Sequence, residues 1–92
     1  MPLVMSLKPG EDFFVGDERV IVGSIQGKTR FEVVVERTGV KYRISEEEAV
    51  ELMPEVYVSS GPRPTAGVAK VAIEAPKEIT ILRGERYREY AR

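Results

Sequence analysis

A chain of 92 residues, with 14 Lys and Arg against 15 Asp and Glu, has the length of one domain and a net charge of -1. It has no cysteine and no histidine, which excludes disulfides, thiolate metal sites, the commonest metal ligand and the commonest neutral-pH acid–base group. A core this small is marginal alone, so a partner subunit is the expected source of further stability.

Catalysis without His or Cys would need perturbed carboxylates or a lysine. No such pair stands out, and no Gly-rich phosphate loop is present, so the reading is of a non-enzyme with no cofactor and no metal. No apolar run approaches the length of a membrane span, and residues 1–8 lack the basic flank of a signal peptide. A cytoplasmic protein without membrane contact is expected. Charge is uneven along the chain. Residues 68–92 hold six basic and four acidic side chains, whereas residues 29–67 hold five basic and seven acidic. A local basic edge is compatible with the negative total.

In chain order, Leu3-Val4-Met5-Ser6-Leu7-Lys8 reads as a strand ended by the turn Pro9-Gly10. Phe13-Phe14-Val15 is a second strand, closed by Gly16-Asp17. Residues 19–26 are a third, rich in Val and Ile. Residues 31–37 form a fourth, with Phe31, Val33 and Val35 on one face. Thr38-Gly39 marks a hairpin, after which Val40, Tyr42 and Ile44 alternate with Lys41 and Arg43. At Ser45-Glu46-Glu47-Glu48 the period changes. A serine followed three residues later by glutamate is a capping-box pattern, and it predicts a two-turn helix that Pro54 stops.

Val56-Tyr57-Val58 reads as a strand, and residues 61–67, Gly- and Pro-rich, as an exposed loop. Residues 68–73 and 78–82 are two more strands, separated by Ala75-Pro76-Lys77. Residues 83–91 form a terminal helix, with Tyr87 and Ala91 on one side. A mainly β, antiparallel domain with two short helices results.

Both ends of the chain resemble the carbon storage regulator (CsrA/RsmA) family of small bacterial proteins that bind messenger RNA. The C-terminal block is V-A-K-V-A-I-E-A-P-K-E-I-T-I-L-R-G-E-R-Y, residues 68–87. The N-terminal block is M-S-L-K-P-G-E-D-F-F-V-G-D-E, residues 5–18, and the strand that follows fits the same register to Gly27-Lys28. The resemblance divides a single domain into a core of residues 1–28 and 68–92 and an insertion of residues 29–67, which carries its own hairpin, the capped helix and a further strand. It implies a homodimer in which the first and last strands of one subunit pair into the sheets of the other. It also implies a function: binding single-stranded or hairpin-loop RNA that displays GGA, and blocking translation initiation.

The RNA-binding residues that the resemblance carries over are Ala75, Pro76, Lys77, Ile79, Ile81, Leu82 and Arg83, with Met5, Ser6 and Lys8 from the other subunit. Arg83 has an oddity of its own, since a cation at a helix N-terminus opposes the dipole by a few tenths of a kcal/mol. The chain departs from the family at Leu7 and Lys8, which stand where the family has paired arginines; Leu7 makes no phosphate contact. That departure and the acidic middle point to an alternative, a protein-interaction or assembly module that keeps the dimer core and binds a protein partner through the insertion.

Overall fold

Period-two alternation of apolar residues runs through most of the chain. In a computed structural model that describes residues 2–90, it becomes nine strands and one short helix among the described residues. The strands are β1 (Leu3–Leu7), β2 (Asp12–Val15), β3 (Glu18–Gly27), β4 (Arg30–Val35), β5 (Val40–Ile44), β6 (Val50–Met53), β7 (Val56–Ser60), β8 (Ala69–Glu74) and β9 (Ile81–Arg83). The helix is α1 (Gly84–Tyr90). Ala91, which the sequence puts on the packed side of the helix, lies outside the described residues.

Two antiparallel sheets result, one in the order β1-β8-β7-β6 and the other in the order β5-β4-β3-β2-β9. Their facing sides make one core. Met5 and Leu7 of β1, Val71 and Ile73 of β8, and Val56 and Val58 of β7 bury against it from one sheet. Phe13, Val20, Val22, Phe31, Val33 and Ile44 do so from the other. Each is one of an alternating set, since successive side chains of a strand point to opposite faces. Strands from residues 29–67 stand in both sheets: β4 pairs with β3, and β7 with β8. Both end strands pair within their own chain, β1 with β8 in the register Met5 to Val71, and β9 with β2 in the register Leu82 to Phe14.

The turn after β1 shows how local chemistry sets the path. Gly10 has φ 89, which only glycine adopts freely, and Pro9 before it has its φ preset. The turn closes with Glu11 N donating to Lys8 O at 3.0 Å. The other decisive bend is the exit from β8. Pro76 has no N–H to continue a ladder. The chain therefore leaves the first sheet after Glu74 and turns, with Ile79 N donating to Pro76 O at 3.0 Å. It enters the second sheet only at Ile81, so the strand expected over residues 78–82 begins later than its alternation suggests.

The helix expected after Ser45 does not form. Residues 46–48 are bends, and Ser45 Oγ accepts from Glu47 N at 3.3 Å within a turn. Val50–Met53 is instead β6, paired with β7. A two-turn helix costs as much to nucleate as a long one and here would bury only one short stripe. Strand pairing satisfies the same backbone and places Leu52 in the core. Pro54, read as a helix stop, is the first central residue of a hairpin turn whose second, Glu55, has φ 67. That left-handed conformation costs a side-chain-bearing residue about 1–2 kcal/mol. Glu55→Gly is therefore expected to raise stability by about 0.5–1 kcal/mol in urea melts, after glycine's own entropy cost is allowed for.

Candidate nucleic-acid interface

Alternation along β1 sorts the residues of the N-terminal block. Met5 and Leu7 point inward, at 6% and 2% exposure, while Ser6 and Lys8 lie at the surface. Met5 can therefore offer an outside ligand only its main chain. Leu7 is a core side chain, so an arginine substituted for it would enter the core, not a surface beside Lys8.

β1 is the edge of one sheet and β9 the edge of the other. Arg83, the last residue of β9, bridges them: its Nη2 donates to Ser6 O at 3.2 Å, and its Nε lies 3.8 Å from Glu85 Oε1. The structure thus brings Arg83, Ser6 and Lys8 to one seam. The side chain of Arg83 is 43% exposed, so the guanidinium remains accessible to solvent.

Ala75, Pro76 and Lys77 lie elsewhere. In the β1–β8 ladder Leu3 pairs with Ile73 and Leu7 with Ala69. The bend after Glu74 therefore leaves at the Leu3 end, whereas Lys8 follows Leu7 at the other. The length of β1, roughly 15 Å at about 3.3 Å per residue, separates Lys77 from Lys8. Ile79 and Ile81 are partly buried against the core. Leu82 sits opposite Phe14 and lines an open groove of about 730 Å³ with Ile79, Tyr87 and Tyr90, bordered by Asp17 and Glu78. Tyr90 is 84% exposed.

Behind the seam lies a charge cluster. Asp12, at the start of β2, is 5% exposed. Its carboxylate accepts from Arg19 Nε at 2.7 Å and from Arg88 Nη1 and Nη2 at 2.9 and 3.3 Å. Arg19 continues to Glu36 at 2.6 Å. Burial alone would push the Asp12 carboxyl up, but hydrogen bonds and charge from Arg88 and then Arg19 outweigh it and hold the group below the usual carboxylate range. The carboxylate lies in the space that a side chain on Gly84 would occupy: a Cβ there would overlap Asp12 Oδ1. Tyr87 completes the docking of α1. Its ring stacks on Phe14 at 3.7 Å, with 6° between planes, and its hydroxyl donates to Asp17 Oδ1 at 3.2 Å. That hydrogen bond favours the protonated phenol and raises the pKa of Tyr87 above its ordinary value.

None of this cluster is among the RNA-binding candidates; the sequence names Tyr87 only for one side of the helix and puts Arg88 on its solvated side, whereas Arg88 reaches back to the buried Asp12. One signal was available. Phe13 and Phe14 are adjacent in a strand, so they cannot both face one core, and the outward ring needs a cover from another element.

No protein-family model, curated protein or solved structure matches this chain.

Gly84→Ala is expected to destabilise, although alanine is the better helix former by about 1 kcal/mol, because the added methyl displaces the carboxylate from its arginines. Thermal melts check the sign. Asp12→Asn is expected to cost about 2–3 kcal/mol at neutral pH through its lost charge-assisted hydrogen bonds. A carboxyl whose pKa is depressed on folding contributes stability above its unfolded value near 3.9 and loses it as the pH falls toward the folded value. Urea melts of parent and Asp12→Asn should therefore converge from about pH 4 downward. A gap that widens in acid overturns the assignment of Asp12 as a paired anion.

Proposed function

We propose that the chain is an RNA-binding regulator of translation of the carbon storage regulator type. On this reading it holds an unpaired GGA segment along the seam of β1 and β9 and blocks initiation by occupying the message. The observation that carries the reading is the contact of Arg83 with the Ser6 carbonyl. The two segments that resemble the family's RNA-binding strands are far apart in sequence and meet at one solvent-facing edge. Unpaired bases expose their hydrogen-bonding edges, and an edge strand has main-chain N–H and C=O groups free to read them. The guanidinium of Arg83 supplies the phosphate or base contact that a planar fork makes best.

A homodimer belongs to the same reading. On it, the end strands β1 and β9, which pair with β8 and β2 of their own chain, exchange between two subunits. The second reading, a protein-interaction module, draws on the inward position of Leu7 and on the apolar groove at Leu82, Tyr87 and Tyr90, whose bordering Asp17 and Glu78 repel phosphate.

The test is a titration of the chain with a hairpin RNA displaying GGA, set beside the same hairpin displaying CCA. Sedimentation of the complex reports whether a dimer binds. The parent should prefer GGA, and Arg83→Ala should lose about 1–3 kcal/mol of that binding. Loss of one half-exposed hydrogen bond should cost the fold no more than about 1 kcal/mol. Equal binding of GGA and CCA, or an unchanged affinity in Arg83→Ala, overturns the RNA reading in favour of the protein-interaction module.

A further inference from the structure

Three segments far apart in sequence come together beyond the Lys8 end of the seam, and none of them contains an acid. Residues 6–10 carry Lys8, residues 24–30 carry Lys28 and Arg30, and residues 61–70 carry Arg63 and Lys70, with no Asp or Glu in any of the three. In a chain of net charge -1 this is a marked segregation. The fold brings the three segments to one surface, where the nearest acids are Glu11, whose carboxylate accepts from Lys8 N at 2.8 Å, and Glu47 beside Arg30. An open pocket of about 450 Å³ is walled by Pro9 from the first segment, by Ile25, Gln26 and Lys28 at the tip of the β3–β4 hairpin, and by Ala66 and Gly67 from the third. Register slips after Val22 and Ile25 re-aim that hairpin tip. Lys70 faces Ser6 across the β1–β8 ladder. Lys8, Lys28 and Arg63 are exposed; Arg30 is engaged with Glu47 at 3.5 Å.

The chemistry of the pocket is that of an unstacked nucleobase. Pro9, Ile25 and Ala66 offer apolar contact to the flat faces of a ring. The Gln26 amide Nε2 is already donated to Ser24 Oγ at 2.7 Å, which leaves its carbonyl to accept from a base edge. Cations around such a pocket take the flanking phosphates, as in other grooves that track a single strand. The surface is also continuous with the seam, because Ser6 belongs to both.

We propose that this end is a second contact for single-stranded RNA: a strand leaving the β1–β9 seam lays its phosphates along Lys8, Lys28, Arg63 and Lys70 and places one unstacked base in the pocket between the β3–β4 hairpin tip and the loop before β8. The proposal rests on RNA being the ligand of the seam, and its test separates the two.

Fluorescence anisotropy of the full chain is measured against salt with three RNAs: a blunt hairpin displaying GGA, the same hairpin with a single-stranded adenylate tail, and the tail alone. The parent should bind the tailed hairpin about tenfold tighter than the blunt one, the worth of one stacked base. Lys28→Gln combined with Arg63→Gln should remove that gain and lower the salt slope for the tailed RNA by about 1.4, at roughly 0.7 for each phosphate neutralised on a single strand. Blunt-hairpin affinity should fall less than that of the tailed RNA, since salt screens exposed charges that the blunt RNA does not touch. Both positions are exposed in loops, so the melting temperature should match the parent's. The proposal is overturned if the tail adds nothing in the parent, if the double variant keeps the gain, or if blunt and tailed RNAs weaken equally. It is likewise overturned if phosphatidylserine vesicles bind this end and the tail does not. A parent that ignores the change from GGA to CCA yet binds the tail through Lys28 and Arg63 sinks the reading of the seam and leaves this contact standing.

Discussion

One carboxylate ties the end of the chain to its beginning. Asp12 is buried at the start of β2, and its only ionic partners among the described residues, Arg19 and Arg88, come from the next strand and from the terminal helix. A buried carboxylate without partners would cost several kcal/mol, so the helix must dock where Arg88 can reach it. Docking in turn requires that Gly84 have no side chain, because the carboxylate occupies that space. The helix start is thereby set beside β2, and β9, which runs directly into the helix, is set as the edge of the second sheet. The position of Arg83 at the seam follows from that placement. The stack of Tyr87 on Phe14 serves the same end with apolar surface, covering the one phenylalanine that the core cannot take.

The seam is where two constraints meet. A two-sheet sandwich leaves open edges unless its strands close into a barrel, and an open edge carries unpaired N–H and C=O groups. In this fold β1 and β9 are both edges, and a single guanidinium spans them. An arginine suits that position because it satisfies a carbonyl of the neighbouring edge while its other donors stay in solvent. A residue that closes a seam and also presents charge to a ligand is held in place before the ligand arrives, which reduces the ordering cost of binding.

Charge is sorted by place more than by amount. The acids bordering the Tyr87 groove, Asp17 and Glu78, line a different pocket from the three acid-free segments, and of the acidic turn Glu47 reaches them, at Arg30. A near-neutral total therefore conceals a cationic end, and it is the local potential, not the net charge, that a phosphodiester strand meets.

Much of the secondary structure was legible because alternation is a property of neighbouring residues. The strands at Met5, Phe13, Val22, Val33, Ile44, Val58 and Val71, the turns at Pro9-Gly10 and Thr38-Gly39, and the helix around Tyr87 all declare themselves within a few positions. The failures share one cause. Ser45 with three glutamates has the local chemistry of a helix start, but whether residues 50–53 form a helix or a strand depended on the edge that β7 offered, a partner no window of sequence contains. Pro54 was legible as a stop, but stop and hairpin turn use the same fixed φ.

At the site, the residue types were readable and their grouping only in part. Ser6 and Lys8 with Arg83 came from the two end blocks together, but Lys77 was separated from Lys8 by the direction of a ladder. Leu7 was assigned its inward face by the pleat. Asp12, Gly84 and Arg88 could not be read as a unit, because a buried ion pair is defined by three-dimensional distance and desolvation. The acid-free segments are visible in the sequence as composition. They become one surface only because two hairpins and a loop end at the same side of the sandwich.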